Sequence, residues 1–304
     1  MSSQKSGRIS LPEAILRTVA YADVFDYPLT ASEIHRYLVG KSASQEAVQG
    51  ALDSLAPGRL TRLGDYYSLP GREPLFEVRL HRQAFARRLW RRAQRHAARL
   101  ARLPYIRMLA VTGAMAVGNV EPGADIDFLI VTAPGRLWLC RLMVLAVARL
   151  ASLQGVELCP NYLVTRRALA FPDRDLYSAH ELAHMVPVFG MQTYDQMRRV
   201  NGWSARFLPN AAGPPPLPAG WQVKGPPGFS RPALERLVGY LPLDWLERWE
   251  MQRKIRKLGR GQQGNPEASF GPDWCKGHIH RHSWRARTAY SARLELLALE
   301  KSNL

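Results

Sequence analysis

The spacing of apolar side chains predicts a mostly helical chain. Residues 12–22 place Ile15, Val19 and Ala22 on one stripe, as an amphipathic helix does. A longer helix is predicted over 73–103, where apolar positions alternate with arginines at helical spacing. Further helices are predicted over 175–207, 231–258 and 282–299.

The middle of the chain has a different pattern, in which short apolar runs are typical of buried strands. Residues 105–165 predict strand, loop, strand, helix and strand, and the helix occupies the most apolar segment, 137–153. Arg141 and Arg149 interrupt that segment, which is shorter than the roughly 20 residues that a membrane span needs. We therefore predict an α+β fold that is mainly helical overall, with a mixed sheet flanked by helices.

The N-terminal stretch predicts a winged helix-turn-helix. Thr30 precedes a helix with Glu33 three residues later, which is the pattern of a capping box, and Ser44 precedes a third helix. An alternating segment around Gly64-Asp65 predicts a hairpin, which would be the wing. The third helix would enter the major groove if this unit bound DNA. It carries no lysine or arginine, so packing or protein contact is favoured over DNA binding.

These patterns divide the chain into three parts. They are a winged-helix-like domain over 1–72, a central core with its leading basic helix over 73–165, and a helical C-terminal region over 166–304. A Pro-rich linker over 209–232 interrupts the last part.

The central core carries two aspartates at the start of an apolar strand. An apolar run ends at Gly113-Ala114, ten residues follow, and Asp125 and Asp127 then open a second apolar run. Residues i and i+2 of a strand point to the same face, so the two carboxylates should lie side by side. Adjacent carboxylates repel each other unless a cation lies between them, and such oxygen ligands suit Mg²⁺. The stretch therefore predicts a magnesium site, of the kind that binds a nucleoside triphosphate.

This pattern resembles the nucleotidyltransferase superfamily of the DNA polymerase beta type, which includes the minimal nucleotidyltransferases. Its members have a strand, Gly-Ser or Gly-Gly, a spacer of similar length and then Asp-x-Asp in an apolar strand. A third acidic residue follows on a later strand, and Glu157 is the residue that matches it here. Asn161 shares the strand face of Glu157 by even spacing and is the alternative polar ligand. The resemblance covers about residues 105–165.

The resemblance implies transfer of a nucleoside monophosphate from a nucleoside triphosphate, with ATP expected, to an acceptor hydroxyl. It implies that three carboxylates are catalytic and hold Mg²⁺ or Mn²⁺, and that three further residues contact the nucleotide. The carboxylates are those of Asp125, Asp127 and Glu157, and the nucleotide contacts are Gly113, Ala114 and Asn119. The acceptor is left open between a small molecule, an RNA end and a protein.

Ala114 departs from the family pattern, in which a serine hydroxyl also contacts the phosphates. Ala114 keeps the backbone donor but lacks the hydroxyl, and losing one hydrogen bond to a charged group costs roughly 1.5–3 kcal/mol. The alternative function is therefore a catalytically weak protein of the same fold, which regulates by binding nucleotide or nucleic acid.

The composition of the chain suggests a binding partner and a cellular compartment. The net charge is +17, from 42 lysines and arginines against 25 acidic residues, and such a field attracts polyanions, so nucleic acid is a candidate partner through the basic surface. On the helix over 73–103, a solvated arginine face is favoured over a track for a nucleic-acid backbone. The three cysteines are too few and too far apart for a disulfide framework, and no signal core precedes them. We expect a cytoplasmic protein with no membrane partner.

Two further clusters contain metal-binding residue types. His180, Glu181 and His184 match the His-Glu-x-x-His motif of zinc proteases, but a third ligand does not follow and Pro187 would disturb the helix. Cys275, His278, His280 and His282 are compatible with zinc or with an anion, although a surface coincidence is favoured. We predict no stoichiometric zinc at either cluster.

Overall fold

The computed structural model describes residues 9–216, 230–239, 242–261, 269–276 and 282–300. The helices of these residues are α1 Leu11–Asp23, α2 Ala31–Arg36, α3 Gln45–Leu55, α4 Leu75–Ala101, α5 Gly113–Val117, α6 Leu137–Ser152, α7 Leu176–His184, α8 Met191–Val200, α9 Ser230–Gly239, α10 Asp244–Gly261 and α11 His282–Leu296. The strands are β1 Leu29–Thr30, β2 Thr61–Leu63, β3 Tyr66–Ser68, β4 Ile106–Val111, β5 Ile126–Thr132, β6 Leu158–Thr165, β7 Val186–Phe189, β8 Ser269–Phe270 and β9 Trp274–Lys276. The expected α+β class is confirmed.

Local capping rules explain where the N-terminal helices begin. The capping box predicted at the start of α2 is present, with the Thr30 hydroxyl accepting from the Glu33 amide and the Glu33 carboxylate accepting from the Thr30 amide. The Ser44 hydroxyl caps α3 in the same way. The predicted hairpin is also present, because β2 and β3 pair antiparallel around Gly64, and β1 adds to β3. Apolar faces of α1, α2 and α3 share one core with this small sheet.

A six-stranded mixed sheet forms the centre of the molecule, in the order β7-β4-β5-β6-β9-β8. The pair β5–β6 is parallel and is connected by α6, whereas the other neighbouring strands are antiparallel. The segment expected as a buried helix is α6, and it packs on the sheet with α4 and α10. Glu247 of α10 supports the start of α6, because its carboxylate accepts from the amides of Trp138 and Leu139.

The C-terminal region is not purely helical, which corrects the expectation for residues 166–304. Strands β7, β8 and β9 come from this region and complete the sheet. The single helix predicted over 175–207 is instead α7, β7 and α8, followed by a short 3₁₀ helix. The helix predicted over 231–258 is also divided, into α9 and α10.

The physical reason for β7 lies in Pro187 and Gly190. Pro187 has no amide hydrogen and cannot continue α7, but it is tolerated in an edge strand, where it lies opposite Ala110 of β4. Gly190 follows with φ +80°, and a Cβ at this position would lie 2.1 Å from the carbonyl oxygen of Arg107. Only glycine therefore lets the chain turn from β7 into α8.

No helix of the described residues is both long and apolar enough to cross a membrane.

Candidate functional site

Asp125, Asp127 and Cys159 form a compact cluster at one end of the sheet. Asp125 directly precedes β5, Asp127 is its second residue, and Cys159 lies opposite Asp127 on β6. One potential ligand atom from each residue can be chosen so that all three lie within 4.8 Å of one another. Asp125 is exposed, whereas Asp127 and Cys159 are half-buried. The cluster is therefore open to solvent on the side of Asp125.

Glu157 does not join this cluster. The parallel register pairs Ile126 with Leu158 and Asp127 with Cys159, so Glu157 lies just before β6 with its side chain exposed. Its contact with the neighbouring strand is made by its carbonyl oxygen, which accepts from the Ile126 amide at 2.8 Å. In the part of the chain that the structure describes, two carboxylates and a thiol stand together where three carboxylates were expected.

Gly113 allows the loop after β4 to approach Asp127 closely. It has φ +62°, in the left-handed region, and a Cβ there would lie 2.6 Å from Oδ2 of Asp127. The Thr112 amide also donates to the Asp127 carbonyl oxygen at 3.0 Å. The side chain of Ala114 is exposed at the next position. The backbone of Gly113 and Ala114 therefore runs directly beside the Asp127 carboxylate.

Contacts from the turn after α1 and from α4 hold this loop in place. The carbonyl oxygen of Val117 accepts from the Tyr27 hydroxyl and from Arg79. Arg79 is buried, pairs with Glu33 at 2.7 Å, and lies 3.7 Å from the centre of the Tyr27 ring.

Asn119, expected to contact nucleotide, takes part in the same contacts. Its side-chain amide donates to the Phe25 carbonyl oxygen at 2.9 Å, and its amide oxygen accepts from Arg82 at 3.1 Å. Both polar groups of the side chain thus connect the loop to α4 and to the turn after α1.

Burial and neighbouring negative charges disfavour the ionised forms of Asp127 and Cys159. Burial, the Asp125 charge and the Glu181 charge raise the pKa of Asp127 from 3.8 to about 7. Burial and the two aspartates also raise the pKa of the Cys159 thiol well above its usual value. Without a cation, Asp127 is therefore partly protonated at neutral pH, and a cation would favour its charged form.

Only two of the three side chains in this cluster are ligands that Mg²⁺ or Mn²⁺ prefers. Carboxylate oxygens of Asp125 and Asp127 are the hard ligands that Mg²⁺ and Mn²⁺ prefer. A thiol is a soft ligand and suits zinc better than magnesium. The two aspartates thus fit the expected Mg²⁺ or Mn²⁺, whereas Cys159 does not supply the third oxygen that the resemblance implies.

Glu181 is a further acidic residue that the sequence argument did not assign to this site. It lies on α7 and its charge acts on Asp127. Burial raises the pKa of Glu181 to about 7, and the Lys276 charge opposes this shift. The signal in the sequence was the His180-Glu181-Leu-Ala-His184 segment, which resembles a zinc motif.

Glu181 lies between two cavities. The larger has a volume of about 190 Å³, and Gly113 and Ala114 also line it. The smaller has a volume of about 30 Å³ and is lined by Asn161, the alternative ligand, and by Lys276. Glu181 therefore lines the site both on the side of Gly113 and Ala114 and on the side of β6.

The two histidines of the same segment are buried beside aromatic rings. His180 is stacked on Tyr21 with ring centres 3.9 Å apart, and its Nδ1 lies 3.4 Å from Nε2 of His184. Burial lowers the pKa of both histidines, to about 3 for His184, so both are neutral at physiological pH. Neither belongs to a group of three potential metal ligands within the described residues.

The other candidate metal cluster can be followed only at Cys275, which is buried on β9. His278 and His280, and the side chain of His282, lie outside the described residues.

Comparisons of this chain with protein-family models, with curated proteins and with solved structures find no match.

Proposed function

We propose that this chain transfers a nucleoside monophosphate from a nucleoside triphosphate, with ATP as the expected donor, to an acceptor hydroxyl. Residues 105–165 would form a nucleotidyltransferase-like core behind a winged-helix-like N-terminal domain. The observation that most supports this function is that Asp125 and Asp127 lie together and that the Gly113 backbone approaches the Asp127 carboxylate closely. Two carboxylates next to a left-handed glycine turn are an arrangement suited to a metal-bound triphosphate.

Asp125 and Asp127 would hold Mg²⁺ or Mn²⁺, which would neutralise charge on the phosphates in the transition state. The Gly113 and Ala114 backbone would orient the triphosphate through its amide groups. Because a Cβ at Gly113 would meet the Asp127 carboxylate, this residue sets the distance between the loop and the cation ligands.

Glu181 would accept the proton of the acceptor hydroxyl. A pKa of about 7 suits a general base near neutral pH. The acceptor oxygen bonds to the α-phosphorus, the bond from this phosphorus to the oxygen of pyrophosphate breaks, and pyrophosphate leaves. The hydroxyl proton passes to the Glu181 carboxylate.

The N-terminal domain would serve packing and protein contact. Val48 and Leu52 of α3 are fully buried, and the exposed residues of this helix include Gln45, Glu46 and Asp53 but no basic side chain. A DNA-reading helix would present lysine or arginine to the phosphates.

The test is incorporation of label from α-labelled nucleoside triphosphates into an acceptor. The purified protein would be incubated with each of the four triphosphates, Mg²⁺ or Mn²⁺ and a cell extract. Label should enter an acceptor with release of pyrophosphate, and Asp125→Asn and Asp127→Asn should each abolish this transfer. Transfer that persists in both variants, or no transfer with any triphosphate, would contradict the proposal.

A second candidate is a regulator that binds nucleotide or nucleic acid with weak catalysis or none. Two observations favour it: Cys159 stands beside the aspartates where a third carboxylate was expected, and Ala114 lacks the hydroxyl. Stoichiometric triphosphate binding without transfer would select this function.

A further inference from the structure

The cavity of about 190 Å³ lies between the N-terminal helices and α7, and its walls are mainly aromatic. Tyr21, Phe25 and Tyr27 line it from α1 and the turn that follows. Tyr37 lines it from the end of α2, and His180 from α7. Ring systems on several sides favour a planar aromatic ligand, which gains stacking contacts as well as burial.

His180 lines this cavity, and one of its buried ring nitrogens has no hydrogen-bond partner in the part of the chain that the structure describes. His180 is 4 % exposed, and its Nε2 makes no hydrogen bond among the described residues. A buried polar atom left unsatisfied costs roughly 1–3 kcal/mol, which a ligand atom at the right place would recover. His184 lines the same cavity and adds a further hydrogen-bonding group.

Charge argues against phosphate as the occupant of this cavity. Lysine and arginine are not among its lining residues within the described chain, and both histidines are neutral because burial lowers their pKa. A group that suits these walls is therefore uncharged, planar and able to form hydrogen bonds. A volume of this size holds one ring system rather than a whole nucleotide.

The cavity lies next to the backbone that would bind the phosphates. Gly113 and Ala114, whose backbone would contact the triphosphate, also line the cavity. A single molecule with a ring at one end and phosphates at the other could therefore fill the cavity and reach Asp127.

We propose that this cavity, with His180 at its wall, binds the nucleobase of the nucleotide and selects among bases. The proposal rests on the proposed function for the identity of the ligand, but it assigns a specificity site to Tyr21, Tyr37 and His180, none of which belongs to the 105–165 core. The N-terminal domain thereby contributes directly to substrate recognition.

The test compares ligands that carry different parts of the nucleotide. Calorimetry would measure binding of the four ribonucleoside triphosphates, of inorganic tripolyphosphate and of the four nucleosides, each with Mg²⁺. At least one triphosphate should bind about tenfold more tightly than tripolyphosphate, and the same base should give the tightest nucleoside. Equal affinity for tripolyphosphate and all four triphosphates, with no nucleoside binding, would overturn the proposal.

Two variants locate the effect in the cavity. His180→Gln removes the ring while keeping a polar group, and Ala22→Met fills part of the cavity from α1. Each should reduce the preference among bases at least about fivefold, with folding checked by circular dichroism. His96→Gln is the matched control, because His96 is also buried, with an unpartnered Nδ1, but lies on α4 outside the cavity lining. A preference that is unchanged in both cavity variants, when these are folded, would also overturn the proposal.

Failure of the proposed function gives a different result. If Asp125 and Asp127 hold no cation, Asp127→Asn will not change the binding of tripolyphosphate, yet the nucleoside will still bind and will still depend on His180. If only the nucleobase proposal fails, tripolyphosphate will depend on Asp127 and the nucleosides will not bind.

Discussion

At the scale of single residues, the site is built on the contact between Gly113 and Asp127. The left-handed turn at Gly113 brings backbone next to a carboxylate that is half-buried and faces two other acidic groups. Such an arrangement is unfavourable for a charged carboxylate unless a cation or a proton is present.

A first prediction concerns stability and pH. The pKa of Asp127 is about 7 in the folded chain, whereas its ordinary value is 3.8. The contribution of the Asp127 proton to the stability of the fold is therefore fully present below about pH 3.8 and is lost as the pH rises through 7. Asp127→Asn should therefore stabilise the metal-free fold at pH 8 by about 1–3 kcal/mol and change it little at pH 4. Thermal unfolding in a chelator at both pH values measures this. Asp195→Asn, at an exposed position on α8, should show no such difference, and equal effects at both pH values for Asp127→Asn would refute the assignment.

A second prediction concerns the hydroxyl that this chain lacks. The Ala114 side chain is exposed at the start of α5, so a serine fits there without a steric conflict. Ala114→Ser should tighten binding of the Mg²⁺-triphosphate complex about tenfold, because a hydrogen bond to a charged group is worth roughly 1.5–3 kcal/mol. Calorimetric titration tests this, with Ala116→Ser on the same helix as control. Weaker binding by Ala114→Ser would place the phosphates elsewhere.

At the scale of elements, the turn between β7 and α8 is the most constrained feature. Gly190→Ala would place its Cβ 2.1 Å from the Arg107 carbonyl oxygen, in addition to strain at φ +80°. We expect a loss of stability of about 3 kcal/mol or more, measured by urea unfolding. Gly155→Ala is the matched control, because Gly155 has φ +68° but no heavy atom near the position of a Cβ. Its cost should be roughly 1–2 kcal/mol. Equal losses would mean that the contact with β4 relaxes without cost.

Elements that depend on local rules could be predicted from the sequence. The caps at Thr30 and Ser44 and the hairpin at Gly64 need only neighbouring residues, and the structure has all of them. Strands β7, β8 and β9 could not be predicted, because they are short and form only by pairing with distant parts of the chain.

The candidate site, like the fold, could be predicted from the sequence only in part. Asp125 and Asp127 follow from the strand period, but Cys159 could not be chosen over Glu157, because this depends on the register between β5 and β6. Glu181 reaches the site from α7, about fifty residues along the chain from Asp127, and no local pattern indicates that approach.

At the scale of the whole molecule, positive charge is concentrated on one helix. Seven arginines of α4 and its C-terminal end are exposed and share one face by their spacing, whereas Arg79 and Arg82 are used in ion pairs with Glu33 and Glu121. The seven are Arg87, Arg88, Arg91, Arg92, Arg95, Arg99 and Arg102. None of them forms a salt bridge within the described residues, so this face is available to a polyanion.

If this chain binds nucleic acid, as the second candidate function proposes, the arginine face should make that binding depend on salt. Replacing Arg88, Arg91 and Arg95 together by glutamine should weaken RNA binding at low salt and reduce the slope of log affinity against log salt by about 2–3. Fluorescence anisotropy with a labelled RNA measures both quantities. The control replaces Arg174, Arg199 and Arg206, which are exposed but lie outside α4. An equal loss in the two triple variants would indicate that net charge, and not this face, attracts the nucleic acid.

Calorimetric titration of nucleoside triphosphates into the wild type and Asp127→Asn, each with Mg²⁺ and with a chelator, tests whether the two aspartates form a metal site. If Asp125 and Asp127 bind a cation together with a triphosphate, the wild type will bind at least about tenfold more tightly with Mg²⁺ than with the chelator. Asp127→Asn will lose that difference, and its metal-free binding will be unchanged or stronger because one negative charge is gone. Equal affinities in all four titrations would show that the aspartates are not a metal site and would contradict the account.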